Sequence, residues 1–261
     1  MLRFVINLDE SHSRFNAIKN QLDKMHVDFV RVSAIDGKKM SIEEFQEWTY
    51  PRNHFESKVR FTRELTKGEV GCFLSHRMCW KMLLSSGEDR ALILEDDVEI
   101  SVHAANYLLT DDWIPSDVKI CQLNSPKRLS LGRIGRDKKI IDRDIILVQP
   151  RHPTPVGAFA YIISREAAEE ALRLSHRLPA PVDDFLFSPW FSFCKKYETW
   201  RTAPALVVPR QGIQSDVGDR SKKTVKKAPF LIRHGLKRVL LEREVKKFQF
   251  NSEPYTFRLW E

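Results

Sequence analysis

The chain opens on a β-branched apolar run, LRFVINL (2–8), and then changes period. In DESHSRFNAIKNQLDKM (9–25) the apolar Phe15, Ile18, Leu22 and Met25 recur at three- and four-residue intervals, which predicts an amphipathic helix. DFVRVSAIDG (28–37) reads as a second strand closed by an Asp-Gly turn. Strand, helix and strand within about 30 residues form a βαβ unit, which predicts a parallel sheet.

A longer helix follows over LTKGEVGCFLSHRMCWKMLLSSG (65–87). Thr66 with Glu69 three residues later fits a capping box, and Val70, Phe73, Leu74, Trp80 and Leu84 form a wide apolar stripe. After a Ser-Gly turn, ALIL (91–94) is a continuous apolar run, the pattern of a strand covered on both faces. DVKICQLN (117–124) predicts another strand, and the polar, basic residues 125–150 read as a hairpin insertion. VGAFAYIISREAAEEALRL (156–174) reads as a strand running into a helix, with Ser164 as N-cap and Glu166 in the first turn. PAPVDDFLFSPWF (179–191) starts a further helix after its prolines, and WRTAPALVV (200–208) contains a short strand. Residues 50–64 are irregular, basic and aromatic, either a loop over a site or a surface excursion. Helical spacing returns near the end, through Ile232, Leu236, Val239 and Leu240 with basic residues between them. With no internal repeat, the pattern predicts one α/β domain over residues 1–218 and a basic amphipathic tail over 219–261.

Charge changes this picture in one respect. The net charge is +8, yet eleven Lys/Arg against two Glu fall between Arg220 and Lys247, so the rest of the chain is close to neutral. An argument for nucleic-acid binding from overall basicity therefore loses its force. No apolar run reaches the roughly 20 residues that span a bilayer. The first residues, MLRFVINLDE, turn acidic too soon for a secretory signal. Cys72, Cys79, Cys121 and Cys194 show no CxxC pair, so reduced thiols in a cytoplasmic protein are the expectation.

The candidate chemistry centres on Glu95, Asp96 and Asp97, which follow the ALIL strand directly. An acidic triplet alone is a solvated turn as readily as a site. At the carboxyl end of a buried strand, where open α/β sheets bind ligands, its oxygens can hold a hard divalent cation. Asn7, Asp9 and Asp36-Gly37 end the first two strands. No GxGxxG lies between them, which argues against the usual dinucleotide fold. They are either ordinary turn residues or contacts to a base and ribose. Asp183 and Asp184 form a second carboxylate pair, fit for helix capping or for a general base. His76 shares a face with Phe73 and Trp80 and reads as a core histidine before a ligand; no zinc-site spacing, P-loop or nucleophile elbow is present.

Taken in order, FVINLDESHSRF, AIDG, LTKGEVGCFLSHRMCW, ALILEDDVEI, GAFAYIIS and PVDDFLF resemble glycosyltransferase family 25, which includes bacterial lipooligosaccharide galactosyltransferases. The likeness covers roughly residues 1–215 and is strongest in 65–100. It implies a GT-A-like nucleotide-sugar-binding fold, a mostly parallel central sheet flanked by helices, and inverting transfer from a UDP-sugar, most often UDP-galactose. The implied acceptor is a hydroxyl of a lipid-linked lipooligosaccharide glycan. EDD then stands as the DXD-type element: Asp97 contacts Mn²⁺ or Mg²⁺, Glu95 the metal or ribose, and Asp96, between them, the bound nucleotide-sugar. Asn7, Arg14 and Asp36 match positions near the nucleotide; Glu69, Ser75 and His76 match the helix motif and either support or touch the donor. Asp183 is a better base than Asp184, and Gln211 and Asp216 are candidates for a third metal ligand. The tail would draw the protein to the anionic inner membrane from the cytoplasmic side, with no nucleic-acid partner. The competing classes are another metal-dependent phosphate enzyme, a nucleotidyltransferase or nuclease, and a nucleic-acid-binding protein acting through the tail.

Overall fold

The opening apolar run forms β1 (Leu2–Asn7), the periodic segment after it α1 (His12–Lys24), and the second run β2 (Val30–Ser33). α2 (Ile42–Trp48) and α3 (Lys67–Ser85) come next, and α3 leads into β3 (Arg90–Glu95). The computed structural model describes residues 1–50, 64–126, 129–150, 157–189, 191–211 and 252–260. The aromatic and basic stretch 51–63, the helix-patterned basic segment 220–247 and Asp216 lie outside them.

The chain continues through β4 (Val98–Ile100), α4 (Ala105–Leu109) and β5 (Ile120–Gln122). The polar insertion is the hairpin of β6 (Leu129–Ile140) and β7 (Ile146–Pro150). Then come β8 (Ala160–Ser164), α5 (Arg165–Leu174), α6 (Val182–Phe187), α7 (Ser192–Lys196), β9 (Thr199–Ala203), β10 (Val207–Pro209) and β11 (Ser252–Arg258). Nine strands form one sheet in the order β11-β6-β7-β9-β5-β8-β3-β1-β2, while β10 pairs with β4 in a second, two-stranded sheet.

The α/β class is as expected, but the sheet is mixed, not mostly parallel. β2-β1-β3 and β5-β9 are parallel. The other five pairings of the large sheet are antiparallel, because β8 inserts between β3 and β5 and the β6–β7 hairpin extends one edge. The last described residues, assigned to a tail, form an edge strand on β6, and the Ser101 hydroxyl bonds the Trp260 carbonyl.

Helices cover both faces of the large sheet. On one, α3, α5, α6 and α7 bury Phe73, Trp80, Ala167, Phe185 and Phe193 against Phe4, Ile93 and Tyr161. On the other, α1 lays Ile18 and Leu22 over Val5, Leu92 and Leu94. α3 starts as predicted: Thr66 Oγ1 accepts from the Glu69 amide at 3.1 Å and the Glu69 carboxylate accepts from the Thr66 amide at 2.8 Å. Its stripe ends on buried Leu83, with Leu84 only half-buried. The four cysteines form no disulfide, and no described helix is long and apolar enough to cross a membrane.

Two glycines set how closely α3 approaches the carboxyl end of the parallel strands. A Cβ on Gly71 would lie 2.5 Å from the Ile35 carbonyl oxygen and 2.7 Å from the Gly37 nitrogen, while one on Gly37 would lie 1.9 Å from the Lys67 carbonyl oxygen. Ser75 Oγ completes the junction, accepting the Ile35 amide at 2.9 Å and donating to the Gly71 carbonyl at 2.7 Å. Gly87, by contrast, has open space around its Cβ position. Gly71→Ala is therefore expected to destabilise the protein by about 3 kcal/mol or more, the upper range for overpacking, and Gly87→Ala by well under about 1 kcal/mol. Urea unfolding of the two variants measures the difference.

Candidate active site

β1, β2 and β3 are parallel, so their carboxyl ends meet at one edge of the sheet. There a narrow cleft of about 100 Å³ is lined by Asn7, Arg14, Asp36, Cys72, Ser75 and His76 together with Glu95, Asp96 and Asp97. A wider cleft of about 660 Å³ adjoins it, sharing Leu8, Ala34, Ile35, Asp36 and Lys38, with Trp48, Arg77 and Lys81 on its walls.

The three carboxylates are held in three different ways. Asp96 is buried, accepts the Asn7 amide at 2.5 Å and pairs with Arg14 Nε at 3.4 Å. Glu95 faces the imidazole of His76, Oε1 to Nε2 at 3.2 Å. Asp97 carries the electrostatic cost. Burial, then the charges of Glu95 and Asp96, push its carboxyl from 3.8 up to about 7, with Arg14 pulling the other way. Its backbone carbonyl is tied to the Arg210 amide at 2.8 Å, one residue before Gln211.

The partners behind these groups are themselves committed. Asn7 Nδ2 donates to the Ser11 carbonyl at 3.2 Å as well as to Asp96, and Oδ1 accepts from Arg31 Nε and Nη2 at 2.9 and 2.8 Å. Its side-chain amide is filled by these partners, so Asn7 holds Asp96 in place. His76 is fully buried, with Nδ1 3.0 Å from the Tyr161 hydroxyl, which also accepts from the Trp80 indole at 2.9 Å. His76 is thus a buried core histidine that also lines the narrow cleft.

The remaining sequence-predicted residues divide. Asp36 lines both clefts, and its side chain accepts the Lys38 amide at 2.9 Å. Asp9 stands on the wider cleft with Ser33 Oγ and Arg31 Nη2 each at 2.7 Å, contacts that hold its carboxyl below the usual value. Ser75 fastens the 35–37 turn to α3, and buried Glu69 caps α3 without lining either cleft. Asp183 and Asp184 head α6 and line neither cleft; α6 docks on α3 through Phe185, 5.2 Å from Phe73 between ring centroids. Sequence reasoning passed over Arg31, Tyr161 and Cys72. Cys72 Sγ lies 3.9 Å from Glu95 Oε1, one helical turn before His76, and that i,i+4 pair was the available signal.

Crowded oxygen donors with an unfavourably ionised member are what a hard divalent cation relieves, so the acidic turn fits such an ion. Glu95 and Asp97, which both line the narrow cleft, could hold one. The sequence profile of Glycosyltransferase family 25 (LPS biosynthesis protein) matches residues 1–186, and the chain belongs to that family. Procollagen galactosyltransferase 2 of Mus musculus is 26% identical over 188 residues, 70% of this chain and 29% of that protein. Lipooligosaccharide biosynthesis protein lic2B of Haemophilus influenzae is 26% identical over 174 residues, 65% of this chain and 61% of that protein. The chain thus spans under a third of the procollagen enzyme and about three-fifths of lic2B. A solved glycosyltransferase involved in glycosylation of the major capsid of PBCV-1 aligns over 82% of this chain and 95% of its own at 9% identity, with a TM-score of 0.42.

The raised Asp97 carboxyl carries a sign. Without a cation, its contribution is fully present below about pH 4 and is lost as pH rises to about 7, because the unfolded chain ionises first. In chelator, Asp97→Asn is therefore expected to melt above the wild type at pH 8, with the gap closing as pH falls toward 4. Thermal melts of both proteins across this range make the comparison, and parallel curves would refute the assignment.

Proposed function

We propose that the chain is a UDP-sugar-dependent glycosyltransferase with a GT-A-like fold. In this reading it transfers galactose from UDP-galactose to a hydroxyl of a lipid-linked lipooligosaccharide or lipopolysaccharide glycan. The observation that carries the reading is the carboxylate turn at the end of β3, which lies within the family 25 match and lines a narrow cleft that adjoins a wider one of about 660 Å³. The names of two relatives supply the finer terms: galactosyl transfer from one, lipooligosaccharide biosynthesis from the other.

A Mn²⁺ or Mg²⁺ ion on Glu95 and Asp97 would supply positive charge beside a departing diphosphate. Around it the chain's own residues bind and orient. Asn7 and Arg14 keep Asp96 turned into the protein, and His76 holds Glu95 at the cleft. Asp36 and Lys38 stand where the two clefts join, in reach of a nucleotide that bridges them. An acceptor hydroxyl that reaches the head of α6, outside both clefts, would give its proton to Asp183 or Asp184 while attacking the anomeric carbon from the face opposite UDP, and inversion would leave a β-linkage. The basic segment beyond Arg220 keeps the enzyme at an anionic cytoplasmic membrane surface, where a lipid-linked acceptor is presented.

A donor panel with Mn²⁺, read by UDP release, is expected to favour UDP-galactose and to fall to background in chelator. Asp183→Asn or Asp184→Asn should lower kcat by about 10²–10⁴, the usual contribution of a general base, with donor KM little changed. Full activity in chelator would overturn the metal role. Two active aspartate variants would overturn the base.

A further inference from the structure

We propose that Cys72, His76 and Glu95 form a second cation site, selective for a borderline ion of the zinc class over the hard ions of the acidic turn. The three residues come from one face of α3 and the end of β3, and one ligand atom of each lies within 4.8 Å of the others. Cys72 Sγ to Glu95 Oε1 is 3.9 Å and His76 Nε2 to the same oxygen is 3.2 Å. Tetrahedral zinc with sulfur at about 2.3 Å and nitrogen or oxygen at about 2.0–2.2 Å separates its ligands by roughly 3.3–3.6 Å. The cluster is near that geometry before any ion enters.

The surroundings suit an ion of this kind. A sulfur, an imidazole nitrogen and one carboxylate are a mixed soft donor set, which zinc accepts and Mg²⁺ does not. The outer ring nitrogen of a metal-bound histidine needs a partner, and His76 Nδ1 has the Tyr161 hydroxyl at 3.0 Å, itself anchored by the Trp80 indole. That oxygen has lone pairs for both donors. All three ligands line the narrow cleft, which leaves a fourth position facing the cavity. Binding takes the thiolate form of Cys72 and releases the thiol proton to solvent.

The assignment stands on these ligand atoms and does not require the glycosyl-transfer reading. Its consequence, if both hold, is competition. Glu95 belongs to both cation sites, so a zinc-class ion on Cys72 and His76 withdraws one oxygen from the acidic turn.

Titration of the metal-free protein with Co²⁺ tests the site. A near-ultraviolet thiolate-to-cobalt charge-transfer band is expected in the wild type and in Asp97→Asn, is expected to be absent in Cys72→Ser, and should be bleached by Zn²⁺. Chelator competition should show the Zn²⁺ Kd of Cys72→Ser weaker by at least about 10–100-fold, the loss that follows even from disturbing an outer-shell partner. On the unaltered protein, Zn²⁺ should also protect Cys72 from alkylation, read by peptide mass spectrometry. No band in the wild type, a band that survives Cys72→Ser, or unprotected Cys72 would each overturn the site. Loss of the band in Asp97→Asn would also overturn it, by placing the ion on the acidic turn.

Discussion

Like charges confined to a partly buried cleft repel, and the structure around the β3 terminus is arranged to contain that repulsion. Two unit charges about 4 Å apart interact by about 4 kcal/mol at an effective dielectric of 20, comparable to a large part of a domain's net stability. Asp96 is turned inward to Asn7 and Arg14, and Glu95 is set against His76, which leaves Asp97 with a carboxyl raised to about 7. A site relaxed by itself would not keep such a group. In the proposed reading a positive ion would relieve it.

The fold supplies the fixed positions that the arrangement needs. Parallel pairing of β1 with β2 and β3 brings Asn7, Ser33 and Glu95 to one edge of the sheet. The close approach at Gly37 and Gly71 presses the first turns of α3 against that edge, and Ser75 bonds across the junction. His76 then reaches Glu95 from one side and Tyr161, on the neighbouring strand, from the other. Displacing α3 would disturb each of these contacts together.

Much of the frame was legible in the sequence where the signal is local. The period changes around β1, α1 and β2, the Thr66–Glu69 box of α3 and the Ser164 cap of α5 depend on residues three or four apart. Strand direction does not. That β8 runs antiparallel between β3 and β5, or that β11 returns to β6 from beyond residue 250, follows from pairings across the whole chain. α2 was missed although Ser41 and Glu44 form a full capping box, because the helix is short and buries no residue completely. At the site, the acidic turn was visible from its place behind a buried strand. The filled amide of Asn7 and the tie from Arg31 depend on side-chain directions that spacing does not reveal. The same holds for Cys72 and Glu95, which come together only through the packing of α3 on the sheet.

The proposed function rests on one physical claim: that Glu95 and Asp97 hold a cation that a nucleoside diphosphate needs in order to bind. Isothermal titration of UDP into the protein, with Mn²⁺ and then with chelator, tests this most directly. The account predicts strong heat with Mn²⁺, little in chelator, and little with Mn²⁺ in Asp97→Asn. UDP binding of equal strength in all three would contradict it.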